Sequence, residues 1–181
     1  MIENKTKRLT VSGLMLALGI LLPLVSAHGM GVPGTLLLPM HLPVLLCGFL
    51  CGPLYGGICG AATPLLSSLL TGMPVPFPML PIMLCELTVY GTVSGLLFAK
   101  TPLGRMRLGG YLALPLAMLC GRVAYAAAFY ALLLAVGELK ALTVTAAITT
   151  GWLGILLQLL IIPPVLLAVR TWGKGKKAIG S

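Results

Sequence analysis

The chain has 181 residues, 59% of them hydrophobic and only 8% charged, where a soluble domain carries about 25% charged residues. Lipid is therefore the expected solvent. With about 20 apolar residues per spanning helix, the length allows about six spans and excludes a separate soluble domain. The phosphate-binding pattern GxxxxGK[ST] is absent, so no ATPase loop is expected in this chain.

The formal charge of +9 suggests nucleic acid until it is placed along the chain. Lys5, Lys7 and Arg8 precede the first apolar run, Lys100, Arg105 and Arg107 share one loop, and Arg170, Lys174, Lys176 and Lys177 close the chain. In a six-span arrangement all three groups fall on one side. This is the positive-inside pattern, which puts both termini in the cytoplasm and leaves no nucleic-acid partner to invoke.

The first predicted helix covers residues 9–25 and runs outward. No A-x-A-like cleavage site follows it, so it reads as a retained helix rather than a signal peptide. Gly13 and Ala17 form a small-x-x-x-small pair that lets another helix approach closely, either within the chain or from a partner. Residues 26–35, with HGMGVPG at their centre, read as an outer loop, and His28 there as a solvated loop residue.

The chain is organised around residues 36–97, an apolar stretch interrupted repeatedly by Pro and Gly. A second helix is predicted over 36–52, with Pro43 kinking it beside His41. Gly52-Pro53 turns the chain, and a third helix runs over 54–70. Gly48, Gly52, Gly56 and Gly60 recur every fourth residue and predict close packing of helices two and three. Residues 71–81, TGMPVPFPMLP, form a stiff, apolar, non-helical second outer loop. Such backbone is unstable against lipid, so it should cover protein or line a cavity, as a lid does.

A fourth helix is predicted over 82–99, with Glu86 and Tyr90 on one face at spacing i,i+4. A fifth covers 108–136, where Arg122, Tyr125 and Phe129 share a face. Glu138 and Lys140 mark a third outer loop. A sixth helix covers 142–169, carrying Trp152 and Gln158 before Pro163-Pro164. The expected fold is an all-α integral membrane bundle of six transmembrane helices with proline-rich outer loops, a single domain over 1–181.

Ionisable residues within apolar spans are costly, which makes them functional candidates. The candidate substrate-binding set is His41, Glu86, Tyr90, Arg122, Tyr125 and Gln158, with Trp152 as an amphipathic neighbour. The plainer alternatives are a mutual Glu86–Arg122 salt bridge, a satisfied histidine at a helix end, and a Gln158 bonded to a neighbouring helix. The five cysteines, Cys47, Cys51, Cys59, Cys85 and Cys120, have no zinc-site spacing and read as packing residues. HExxH, GxSxG and acids at a shared depth are missing, so an enzyme is not expected. Ser67, Ser68 and His41 lack the spacing of a nucleophile and its base.

The stretches LPMHLPVLLCGFLCGP (38–53), TPLLSSLLTGMP (63–74) and PIMLCELTVYGTVSGLL (81–97) resemble the S components, the substrate-capture subunits, of energy-coupling-factor (ECF) vitamin transporters. The likeness extends over nearly the whole chain. It implies uptake of a small water-soluble vitamin or precursor at the outer face of the cell membrane, under the first two outer loops. It also implies a transmembrane coupling subunit and two cytoplasmic ATPases as partners, ATP being hydrolysed by them and no cofactor held in this chain. Gly13 and Ala17 match the family's A-x-x-x-A docking motif, with Gly in place of the first Ala. Folate, riboflavin, pantothenate, pyridoxine, niacin and queuosine precursors are all within the family's range. The modest aromatic content favours a small substrate such as pantothenate. The competing reading is an intramembrane enzyme, or a structural membrane protein without a ligand.

Overall fold

The computed structural model describes residues 2, 4–29, 38–104, 106, 108–137 and 151–179. Within them lie six α-helices: α1 Lys5–Gly29, α2 His41–Cys51, α3 Pro53–Thr71, α4 Met79–Lys100, α5 Gly109–Val136 and α6 Trp152–Ile179. A short 3₁₀ turn, Pro102–Gly104, joins α4 to α5. Most of the first outer loop, the third outer loop with Glu138 and Lys140, the start of the sixth predicted helix, and Arg105 and Arg107 lie outside the described residues.

Among the described residues, five helices are long and apolar enough to cross a membrane: α1, α3, α4, α5 and α6. The sixth, α2, has 11 residues and rises only about 16 Å, half of a hydrocarbon core about 30 Å thick. The expected 17-residue second helix is thus shortened at its front. Leu38 adopts a left-handed backbone conformation, φ 46°, which a helix cannot continue through. The chain then turns at Pro39-Met40, and the His41 amide donates to the Leu38 carbonyl at 3.1 Å. Pro43 consequently sits in the first turn of α2 rather than inside it. No helical hydrogen bond is lost there and no kink follows. At the other end of the preceding span, α1 continues to Gly29, so His28 is helical and not a loop residue as expected.

Glycines set how the middle of the fold packs. A Cβ on Gly56 would lie 2.6 Å from the Cα of Gly48, and one on Gly48 or Gly56 would run into the Gly91 carbonyl. Gly60 abuts the Leu87 carbonyl and Gly95 the backbone of Gly52 and Pro53 in the same way. The expected contact of helices two and three is present, but both lean on α4, whose own Gly91 and Gly95 complete it. Each mid-helix glycine costs roughly 0.5–1 kcal/mol relative to alanine, offset here by backbone contact that any side chain would prevent.

α4 is the hub, packed against α2, α3 and α5, with α1 lying across α2 and α3 and α6 closing against α5 and α2. Val44, Leu45, Cys47, Leu87, Ala113, Leu114 and Ile162 are fully buried between them. α1 contributes Val11, Met15 and Leu16 to this core, while Ser12 meets Cys47 at 3.5 Å. Its other face, with Leu9, Gly13, Leu14, Ala17 and Leu21, is exposed.

Candidate functional site

Glu86 lies seven residues into α4 from Met79, about 10 Å along the helix axis. Its side chain is 2% exposed, and two cations or potential cations bracket it: Arg122 Nη1 at 3.2 Å from Oε1, and His41 Nε2 at 3.5 Å from Oε2. Arg122 comes from α5 and is 24% exposed. His41 is the first residue of α2, so the shortened start of that helix is what brings the imidazole to the carboxylate. The N-terminal end of α2 also adds its partial positive charge on the same side.

Tyr90, one turn along α4, lies on the same helix face as Glu86. Its ring packs edge-on against His41, centroids 5.4 Å apart. Room for that ring comes from Gly121 on α5, where a Cβ would lie 2.5 Å from a ring carbon. Gly121 precedes Arg122, so one position admits the tyrosine and the next supplies the guanidinium. Tyr125 and Phe129 continue this α5 face and pack with Ile82, one turn before Glu86.

Gln158 on α6 joins the cluster through the backbone. Its Nε2 donates to the Leu38 carbonyl at 3.4 Å, the same oxygen that accepts from the His41 amide. Holding a non-glycine residue at positive φ costs on the order of 1–3 kcal/mol, and this pair of bonds holds Leu38 there. Gln158 therefore does bond a neighbouring segment, and its remaining oxygen is left over. Trp152 does not belong to the group: it is 58% exposed. Six residues from Gln158 in an α-helix, it points about 120° away.

Five buried polar atoms lack a hydrogen-bond partner among the described residues: both His41 nitrogens, Glu86 Oε1, Tyr125 Oη and Gln158 Oε1. The contacts to Glu86 are thus close in charge but poorly aligned as hydrogen bonds. Native interiors leave only a few such atoms per 100 residues. Here all five belong to side chains of the expected site, drawn from α2, α4, α5 and α6.

The proline-rich segment is shorter than expected, Gly72 to Pro78, because α4 already begins at Met79. Gly72 ends α3 in the left-handed conformation at φ 73°. Three prolines leave the segment few donors of its own, and α3 satisfies its carbonyls: Ser67 Oγ donates to Met73 O at 2.7 Å and Ser68 Oγ to Pro74 O at 2.8 Å. Sequence reading weighed these serines only as a poor nucleophile pair. Their signal as a clasp was adjacency to a donor-poor loop.

The cysteines are all free, with Cys47, Cys51 and Cys59 buried, and no group of three or more metal-ligating residues is present among the described residues. Gly13 has open space around it, nothing lying within 4 Å of an added Cβ.

No curated protein and no solved structure matches the chain. A family model described as "ECF transporter, substrate-specific component" matches residues 7–166, a span that runs from the first turn of α1 to the middle of α6 and includes every member of the polar cluster and the Gly13–Ala17 face. The chain therefore belongs to the family of substrate-specific components of ECF transporters.

Proposed function

We propose that this multi-pass membrane protein is the vitamin-capturing subunit of an ECF importer, working as one domain over 1–181 in the cell membrane with both termini cytoplasmic. It binds a small water-soluble vitamin or vitamin precursor at His41, Glu86, Tyr90, Arg122, Tyr125 and Gln158, beneath the clasped segment that follows α3. It performs no chemistry on the substrate. A coupling subunit docks on the exposed Gly13–Ala17 face of α1, and two cytoplasmic ATPases provide the energy. Six passes require α2 to be completed by residues outside its helical part.

The observation that carries this reading is the group of five unpartnered polar atoms on deeply buried side chains. A purely structural salt bridge would be expected to satisfy its members, whereas a ligand site holds groups in reserve. Family membership supports the partners and the transport role. The test is to purify the chain alone in detergent and titrate vitamins by calorimetry. Tight one-to-one binding without turnover is expected; product formation would favour the enzyme reading, and no binding by any vitamin would refute the capture role.

A further inference from the structure

The hydrogen-bonding character of the unpartnered atoms restricts the substrate class. Gln158 turns its amide nitrogen to the Leu38 carbonyl; the reverse orientation would set two oxygens against each other, so Oε1 is the free end and it accepts. Glu86 Oε1 also accepts. With His41 Nε2 facing the other carboxylate oxygen at 3.5 Å, a neutral imidazole carries its N–H on that side and its Nδ1 is a third acceptor. Tyr125 Oη alone can give or take. Among the deeply buried side chains of the described residues, three acceptors and one hydroxyl therefore lack a partner. The Arg122 guanidinium already lies 3.2 Å from Glu86, and an incoming carboxylate would meet that fixed negative charge.

Resting on the capture function proposed above, we infer that the substrate is an uncharged or amine-bearing molecule rich in N–H and O–H donors, and not a carboxylate or phosphate. This reverses the weak preference for pantothenate drawn from aromatic content. A ligand amide or amine edge meets Glu86 Oε1 and Gln158 Oε1, and one acceptor on the ligand takes the Tyr125 hydroxyl. Mismatching a buried acceptor against a ligand acceptor leaves both unsatisfied, which is why such sites discriminate strongly.

Matched pairs test the assignment, with the whole chain in detergent and calorimetry as the readout. Nicotinamide is compared with nicotinate, and panthenol with pantothenate; each pair differs only in a donor group replacing a carboxylate. Riboflavin, pyridoxine and an aminomethylpyrimidine are titrated beside folate. The expected result is that the tightest ligand carries no carboxylate and that, in any pair that binds, the donor-bearing member is at least tenfold tighter. Gln158→Leu and Tyr125→Phe, each checked for an unchanged melting transition, should then weaken the best ligand about tenfold or more. A carboxylate that binds tightest and loses that advantage in Arg122→Gln overturns the substrate class while leaving the capture function standing. Full affinity in both Gln158→Leu and Tyr125→Phe also overturns it. Silence from the entire panel overturns the capture function and the class together.

Discussion

Replacing Arg122 by Met and Glu86 by Leu, singly and together, probes how the buried pair is held. Arg122→Met leaves a carboxylate that is 2% exposed, with His41 Nε2 at 3.5 Å as its remaining nearby potential cation. Removing one partner of a buried pair costs about 3–5 kcal/mol, since the remaining charge is uncompensated. The lower end, about 3 kcal/mol, applies here because His41 and the start of α2 retain part of the compensation. Glu86→Leu leaves a different orphan. Arg122 is already 24% exposed and can carry its head further towards water on a flexible stem, so the loss should be about 1 kcal/mol. The double variant removes both charges at similar volume and should fall within about 1 kcal/mol of the parent. Denaturant unfolding of the purified chain in detergent measures all four proteins. Losses that are equal in the two single variants, or that add in the double, would refute the view that Glu86 is the more deeply committed partner. Parental ligand affinity in the stable double variant would remove both residues from the site and leave His41, Tyr90, Tyr125 and Gln158.

Other outcomes follow from the same geometry. Gly91→Ala places a Cβ against the backbone of Gly56 and should cost about 1–3 kcal/mol by overpacking, whereas Gly13→Ala meets open space and should gain up to about 1 kcal/mol in helix propensity; unfolding of both variants compares them directly. Gly13→Trp or Ala17→Trp should leave vitamin binding by the isolated chain intact yet abolish energised uptake in cells, because bulk on that face blocks a close helix contact; unfolding of both variants in isolation would instead mean that the face packs internally. Reporter fusions at Ser181 and near Arg105 should read cytoplasmic and one near Lys140 external, and an external Ser181 would end the six-pass arrangement.

Much of this was legible in the residues themselves. An ionisable side chain in an apolar run is rare enough to stand out, so Glu86, Arg122 and His41 could be found without any structure, and Tyr90 followed from its i,i+4 spacing. Trp152 was misplaced although its six-residue offset from Gln158 already separated their faces. Other parts carry no such signal. The start of α2 depends on Leu38 at φ 46°, a conformation that a leucine does not advertise as a glycine would. The Leu38 carbonyl, which joins Gln158 to His41, is a backbone atom and is invisible to any reading of side chains. Gly121 looks like any membrane-helix glycine until Tyr90 is seen filling the space beside it.

The short α2 explains why these features occur together. Had the helix begun near residue 36, His41 would sit more than a turn inside it, away from the helix end. Beginning instead at His41, the helix places its positive dipole end and an imidazole beside the carboxylate of Glu86. Pro43 is harmless in that first turn and would not be so in a longer helix. The left-handed Leu38 is the cost of this arrangement, and the Gln158 amide that steadies it leaves its own oxygen buried without a partner among the described residues. Strain, a broken helix and unmet hydrogen bonds thus share one cause. Each is unfavourable on its own, and under the proposed capture role a donor-bearing ligand would relieve it or put it to use.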